Sequence, residues 1–126
     1  MEKRSVDTID APAAIGPYSQ AVQHGNLLWC SGQLGLRPND GSLVEGVRTQ
    51  AEQALINLET ICREADTSLE RALRLTIYLL DLADFAVVNE VYARHFEAPF
   101  PTRACVQVAA LPKNALVEID AVVAMP

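Results

Sequence analysis

The chain has 126 residues, of which 50% are hydrophobic, 21% charged and only 6% aromatic. That size and balance describe a single globular domain, 1–126, with an aliphatic core, and exclude a disordered or fibrous chain. Ten Lys and Arg against sixteen Asp and Glu give a net charge of −6 with no basic run, so no nucleic-acid partner is expected.

Met1 to Asp10 mixes charges of both signs, with no apolar run behind it. The most apolar stretch, Leu75 to Val88, is broken by Asp81 and Asp84 and is too short to cross a bilayer. No signal peptide and no membrane partner are expected, and the expected location is cytoplasmic. Cys30, Cys62 and Cys105 are odd in number and widely spaced, which argues against a disulfide framework. His24 and His95 have no second ligand at metal-binding spacing, so no metal and no other cofactor is expected.

In chain order, Ser5 to Ile9 and Leu27 to Ser31 read as strands, with a weaker one around Gln20 to Gln23. Val47 to Ala65 is the clearest helix. Val47, Ala51, Ala54, Leu55, Leu58, Ile61, Cys62 and Ala65 recur at spacings of three and four and mark one buried stripe. Thr67-Ser68-Leu69-Glu70 has the capping-box pattern and opens a single turn. Ala72 to Leu80 alternates, with Leu73, Leu75, Ile77 and Leu79 on one face and Arg74, Thr76 and Tyr78 on the other. Asp84 is a candidate N-cap for a second helix, in which Phe85, Val88, Tyr92 and Phe96 keep helical spacing until Pro99 and Pro101 stop it. Arg103 to Ala110 and Leu116 to Ala124 are the last strands, with Leu111 to Asn114 as the turn. Trp29, Cys30 and Cys62 read as core.

These elements predict an α+β, two-layer fold: one mixed sheet with both helices on one face, because right-handed crossovers place them on the same side. If the last two strands form a hairpin and bury their apolar sets together, Val108 lies opposite Val117 and Val106 opposite Ile119. Arg103, Cys105 and Gln107 then share the uncovered face with Glu118 and Asp120. That face reads either as a solvated surface or as a polar patch at a subunit interface, and alternation alone leaves both open.

Further motifs carry a resemblance. Gly16-Pro17-Tyr18-Ser19-Gln20-Ala21-Val22, Ser31-Gly32-Gln33-Leu34, and Asp81 to Phe85 followed by Val88-Asn89-Glu90-Val91-Tyr92 form three of the segments. Pro101-Thr102-Arg103-Ala104-Cys105-Val106-Gln107-Val108 with Leu111-Pro112, and Val117-Glu118-Ile119-Asp120-Ala121, complete the set. Together they resemble the RidA/YjgF family, in the family's order, from about residue 11 to 124. The resemblance implies a chorismate-mutase-like fold, a homotrimer with sites between subunits, and no cofactor. It also implies a reaction: hydrolysis of reactive 2-imino and 2-enamino acids, of the 2-aminoacrylate or 2-iminobutanoate type, to 2-keto acids and ammonia.

The resemblance also assigns roles. Arg103 grips the substrate carboxylate through two parallel N–H donors. The Cys105 backbone carbonyl helps to hold the imine nitrogen or the attacking water, and its thiol is packing. Glu118 orients or deprotonates the water. Tyr18 and Ser31 line the pocket from an adjoining subunit or loop, and Gly32 serves close backbone approach. Asn89 is expected to hydrogen-bond structure, and Asp120 has no assigned role. The Glu97 to Thr102 stretch is shorter than is usual in the family, which bears on the pocket's size. Competing readings are a non-catalytic trimer that binds small carboxylates or partner proteins, a ribonuclease, and a deaminase for a different enamine, such as one from aromatic degradation.

Overall fold

A computed structural model describes residues 2–126. Six strands and two helices follow the chain as β1 (Arg4–Val6), β2 (Ala21–His24), β3 (Leu27–Leu34), α1 (Val47–Glu64), β4 (Ala72–Leu79), α2 (Phe85–Ala93), β5 (Thr102–Gln107) and β6 (Val117–Ala124). The α+β class holds: one sheet in the order β1-β2-β3-β6-β4-β5, with both helices packed together over it. β4 and β5 run parallel, as a helical crossover allows, and every other pairing is antiparallel. No helix among the described residues is long and apolar enough to cross a membrane.

The buried stripe of α1 is as its periodicity predicts, with Ala51, Ala54, Leu55, Leu58, Ile61 and Cys62 fully enclosed. It packs on β3 and β6. β6 is the most regular strand of the sheet: Val117, Ile119, Ala121 and Val123 are buried, and the residues between them are not.

The predicted terminal hairpin does not form. The turn at Pro112–Asn114 exists, with Lys113 and Asn114 in the left-handed region at φ 57° and 58°, but it leads β6 away from β5. β6 inserts between β3 and β4 and leaves β5 at the sheet edge. The reason lies in burial. The continuous Val-Ile-Ala-Val face of β6 fills the centre beneath α1, whereas β5 offers no comparable apolar face. Val108 and Val117 are therefore not partners. Val117 instead faces Leu79, and Ile119 faces Ile77.

Smaller departures have local causes. A register shift between Ala72 and Arg74 turns Leu73 outward, leaving it 49% exposed, and puts Ala72 in the core instead. Trp29 is on the uncovered face at 51% exposure rather than in the core. The first strand is shorter than predicted and starts one residue earlier. Ser68, not Thr67, caps the turn at Leu69–Arg71, because the Thr67 hydroxyl donates to the Ala124 carbonyl 2.8 Å away. Asp84 opens α2 without a side-chain bond, while Asp81 caps the turn before it by accepting from the Ala83 N–H. α2 ends at Ala93, but Phe96 stays buried, its ring 4.6 Å from that of Tyr92.

Three buried amides tie the loops to this frame. Gln50 donates to Val44 O and accepts from the Leu116 N–H. Asn57 donates to Leu34 O and Leu36 O. Gln20 accepts from the Thr8 N–H at 2.7 Å and donates to Thr8 O and Pro12 O. The Gln20 amide thus does for the Thr8–Pro12 loop what a strand partner does elsewhere. Gln20→Leu leaves those backbone groups buried and unpaired, and should cost about 1–3 kcal/mol. Urea unfolding followed by circular dichroism is expected to show a lower midpoint with an unchanged folded spectrum; an unchanged midpoint would show the loop to be held by other contacts.

Candidate active site

The candidate residues fall into two clusters, one on each face of the sheet. Direct register partners point to the same face. Arg103, Cys105 and Gln107 lie beside Leu75, Ile77 and Leu79, so they face the helices. Glu118 and Asp120 lie beside Tyr78 and Thr76 on the uncovered face. This corrects the expectation that Arg103 and Cys105 share a face with Glu118 and Asp120. That expectation turned the apolar set of β5 inward. In the fold Val106 faces out at 42% exposure, and α2 supplies polar and aromatic partners for the residues that face in.

Those partners are specific. The Arg103 guanidinium lies 4.8 Å from the Tyr92 ring centroid and 5.5 Å from that of Phe85. Its Nη1 donates to Asn89 Oδ1 at 2.6 Å. Phe85, Asn89 and Tyr92 stand four and three residues apart, on one face of α2. Asn89 therefore bonds structure, as expected, but the structure it bonds is Arg103 itself. Among the described residues no carboxylate pairs with this guanidinium. It opens onto a cavity of about 380 Å³, walled by Asn89, Tyr92, Ala93, Phe100 and Pro101.

The Cys105 thiol packs against the core, and burial raises its pKa against the opposing influence of Arg103. That suits packing rather than nucleophilic attack. Its backbone is placed differently. Val108 N–H donates to Leu79 O at 2.9 Å, so strand alternation turns the backbone groups of Ala104 and Val106 toward β4. Those of Cys105 and Arg103 point to the free edge of the sheet.

The second cluster lines a groove of about 690 Å³, whose walls include Ile15, Tyr18, Ser31, Gly32, Lys113 and Glu118. Here the predicted residues do come together. An irregularity in the β3–β6 register between Cys30 and Gln33 brings Gly32 under the Glu118 side chain. A Cβ added at Gly32 would sit 2.9 Å from Glu118 Cδ and closer still to Oε2, so only glycine leaves room for that carboxylate. Ser31 lines the groove, but its hydroxyl is engaged with the Ser19 carbonyl at 2.6 Å. Together with Ser31 N–H to Gln20 O, this fixes the loop that carries the half-exposed Tyr18. Glu118 accepts no hydrogen bond from the described residues, and burial, then the charge of Asp120, push its carboxyl above the usual range.

One chain thus holds a fixed, unpaired guanidinium with a free backbone edge on one side, and a carboxylate of raised basicity in a groove on the other. A guanidinium of the first kind is suited to pair with a small carboxylate, and a carboxylate of the second kind is suited to accept a proton.

Comparisons with known proteins show the family. The family model described as Endoribonuclease L-PSP matches residues 8–125. The human 2-iminobutanoate/2-iminopropanoate deaminase is 46% identical over 95% of this chain and 88% of its own. The crystal structure of RidA from the Antarctic bacterium Psychrobacter sp. PAMC 21119 superposes with a TM-score of 0.94 at 47% identity, covering 97% of this chain and 99% of that one. Escherichia coli TdcF, solved with bound serine, gives a TM-score of 0.92 at 39% identity over 98% and 99% of the two chains. With a match over nearly the whole length, the chain belongs to the Endoribonuclease L-PSP family, the RidA/YjgF family of the sequence motifs.

Proposed function

We propose that this protein hydrolyses reactive 2-imino and 2-enamino acids to 2-keto acids and ammonia, in a homotrimer whose sites lie between protomers. One observation carries the reading: the carboxylate-binding and base-bearing halves occupy opposite faces of the same sheet, so a complete site needs two copies of the chain. Exposed Trp29, Leu73 and Val106 give the uncovered face and the sheet edge apolar surface suited to burial between copies. The deaminase relatives and the serine-bound structure support the substrate class, since serine presents the α-carboxylate and nitrogen that an imino acid also has.

In this reading Arg103 of one protomer binds the substrate carboxylate with both donors, held flat by Asn89, Tyr92 and Phe85. The Cys105 carbonyl, on the same free edge, accepts a hydrogen bond from the imine N–H. An enamine first tautomerises, gaining a proton at C3 and losing one from nitrogen. Glu118 of the neighbouring protomer takes a proton from water as its oxygen bonds to the imine carbon. With the imine entering protonated, this gives a neutral carbinolamine. The same proton then passes to its nitrogen as the C–N bond breaks, and the hydroxyl gives its proton to Glu118 as the carbonyl forms, releasing ammonia and the 2-keto acid. Tyr18 and Ile15 close the groove over the substrate. The reading places the protein in the cytoplasm, with the PLP-dependent enzymes that release such enamines. The family description names a ribonuclease, but sixteen acidic against ten basic side chains offer no track for a phosphate backbone.

Three outcomes follow. When a PLP-dependent dehydratase generates 2-aminoacrylate, its decay should be faster with this protein present, and Arg103→Ala should lower that acceleration on the order of 100-fold or more. An unchanged variant would remove Arg103 from the mechanism. Arg103→Ala and Glu118→Gln, each nearly inactive alone, should regain about a quarter of wild-type activity when denatured together and refolded. Random assembly gives each site an intact Arg103 donor and an intact Glu118 donor with one-in-two chance each. No recovery would place both residues in one chain's site. Gly32→Ala should keep its melting temperature within a few degrees while losing about tenfold or more in kcat, because the added methyl displaces only the flexible end of Glu118.

A further inference from the structure

Asp120 is a carboxylate that the reaction above leaves without a task, yet its placement is specific. Glu118 and Asp120 are two residues apart on β6 and share the uncovered face, about 7 Å apart along the strand. Tyr78 stands directly opposite Glu118 in the register, but its hydroxyl does not bond that partner. It reaches diagonally and donates to Asp120 Oδ2 at 2.9 Å. One carboxylate of the pair is therefore anchored. The other accepts no hydrogen bond from the described residues and turns over Gly32 into the groove.

We propose that Asp120, clamped by Tyr78, is a positioning residue for Glu118: it holds a fixed negative charge beside the base and keeps that carboxylate ready to take a proton. This rests on the reading that Glu118 is the base. Like charge at short range disfavours a second ionised carboxylate, and the two are separated by protein rather than bulk water. Burial and Asp120 both raise the Glu118 carboxyl, and burial, then the bond to Asp120, hold the Tyr78 phenol above its ordinary value, so that it stays a donor. Without the clamp, Asp120 is free to swing into water, and its charge is screened.

The other ionisable groups around this face are few. β4 adds Arg74 beyond Thr76, on the far side of Asp120 from Glu118. The open-face residues of β3 next to β6, Trp29 and Leu34, carry no charge. Tyr18 comes from the N-terminal loop, and Asp40 and Lys113 line the same groove. In the proposed assembly the neighbour's Arg103 also approaches and favours the ionised form. Asp120 is thus the only carboxylate on the same strand face as Glu118, and it opposes that guanidinium.

The sign of the effect is set by the base. Glu118 works ionised, so activity falls as pH drops through its pKa, and removing the Asp120 charge moves that fall to lower pH. The test follows the Glu118 side-chain carboxyl of the full chain by carbon-13 NMR across pH, alongside pH profiles of kcat/KM. Asp120→Asn is expected to lower the NMR midpoint and the acid limb together by roughly half a unit or more, with a reduced neutral plateau. Tyr78→Phe keeps the charge but frees it into water, and is expected to move the midpoint in the same direction by less than Asp120→Asn does. A midpoint unchanged in Asp120→Asn overturns the proposal, whatever happens to the rates. A lowered midpoint with an unmoved acid limb and a fully active Glu118→Gln overturns Glu118 as the base, and with it Asp120's part in the reaction.

Discussion

Arg103 and Glu118 project from opposite faces of one sheet. The rest of the account follows from that separation. Strand alternation fixes it on β6, where four buried aliphatic side chains hold Glu118 and Asp120 outward. Parallel pairing with β4 fixes it on β5, where Arg103 shares a face with Leu75 beneath α2. A single chain therefore carries two half-sites back to back. Each is well formed: the guanidinium is stacked and hydrogen-bonded, and the glutamate has a glycine beneath it. In the proposed reading neither is a site alone, and assembly is part of the chemistry, because it would bring the carboxylate grip of one copy to the base of another.

The halves are prepared in different ways. The arginine is held by two aromatic rings and an amide, none of which neutralises it, so its charge remains available to a small anion. Using a carboxylate there would have positioned the side chain equally well and cancelled its attraction. The glutamate is treated in the opposite sense: it is given burial and a like charge, and no donor among the described residues. An arginine left unpaired and a carboxylate made more basic are the two things that addition of water to a charged imine requires.

Much of this was readable from residues alone, and what was not has a physical cause. α1 and β6 bury one whole stripe or face, so their periodicity settles orientation without knowledge of neighbours. β5 is different. Neither of its faces, Ala104-Val106 or Arg103-Cys105, is fully buried in the fold, so alternation cannot say which faces in. The assumption of a hairpin chose wrongly. The signal that α2 would receive Arg103 was present in the spacing of Phe85, Asn89 and Tyr92, whose face mixes aromatic and amide groups, as an apolar core seldom requires. Leu73 and Trp29 were misplaced for a related reason: a bulge and an uncovered apolar face are both invisible to a pattern that assumes regular pairing and one hydrophobic side. Gly32 and the Glu118 carboxylate come from separate motifs, and only the fold shows that one exists to make room for the other.

The central claim is that two copies of the chain build each site, and a crystal structure of the protein with a small 2-keto acid bound tests it most directly. The account predicts the ligand carboxylate on Arg103 of one protomer, with Glu118 of a neighbouring protomer beside its carbonyl carbon. A ligand contained within one chain, or an Arg103 guanidinium facing solvent far from any other copy, would contradict it.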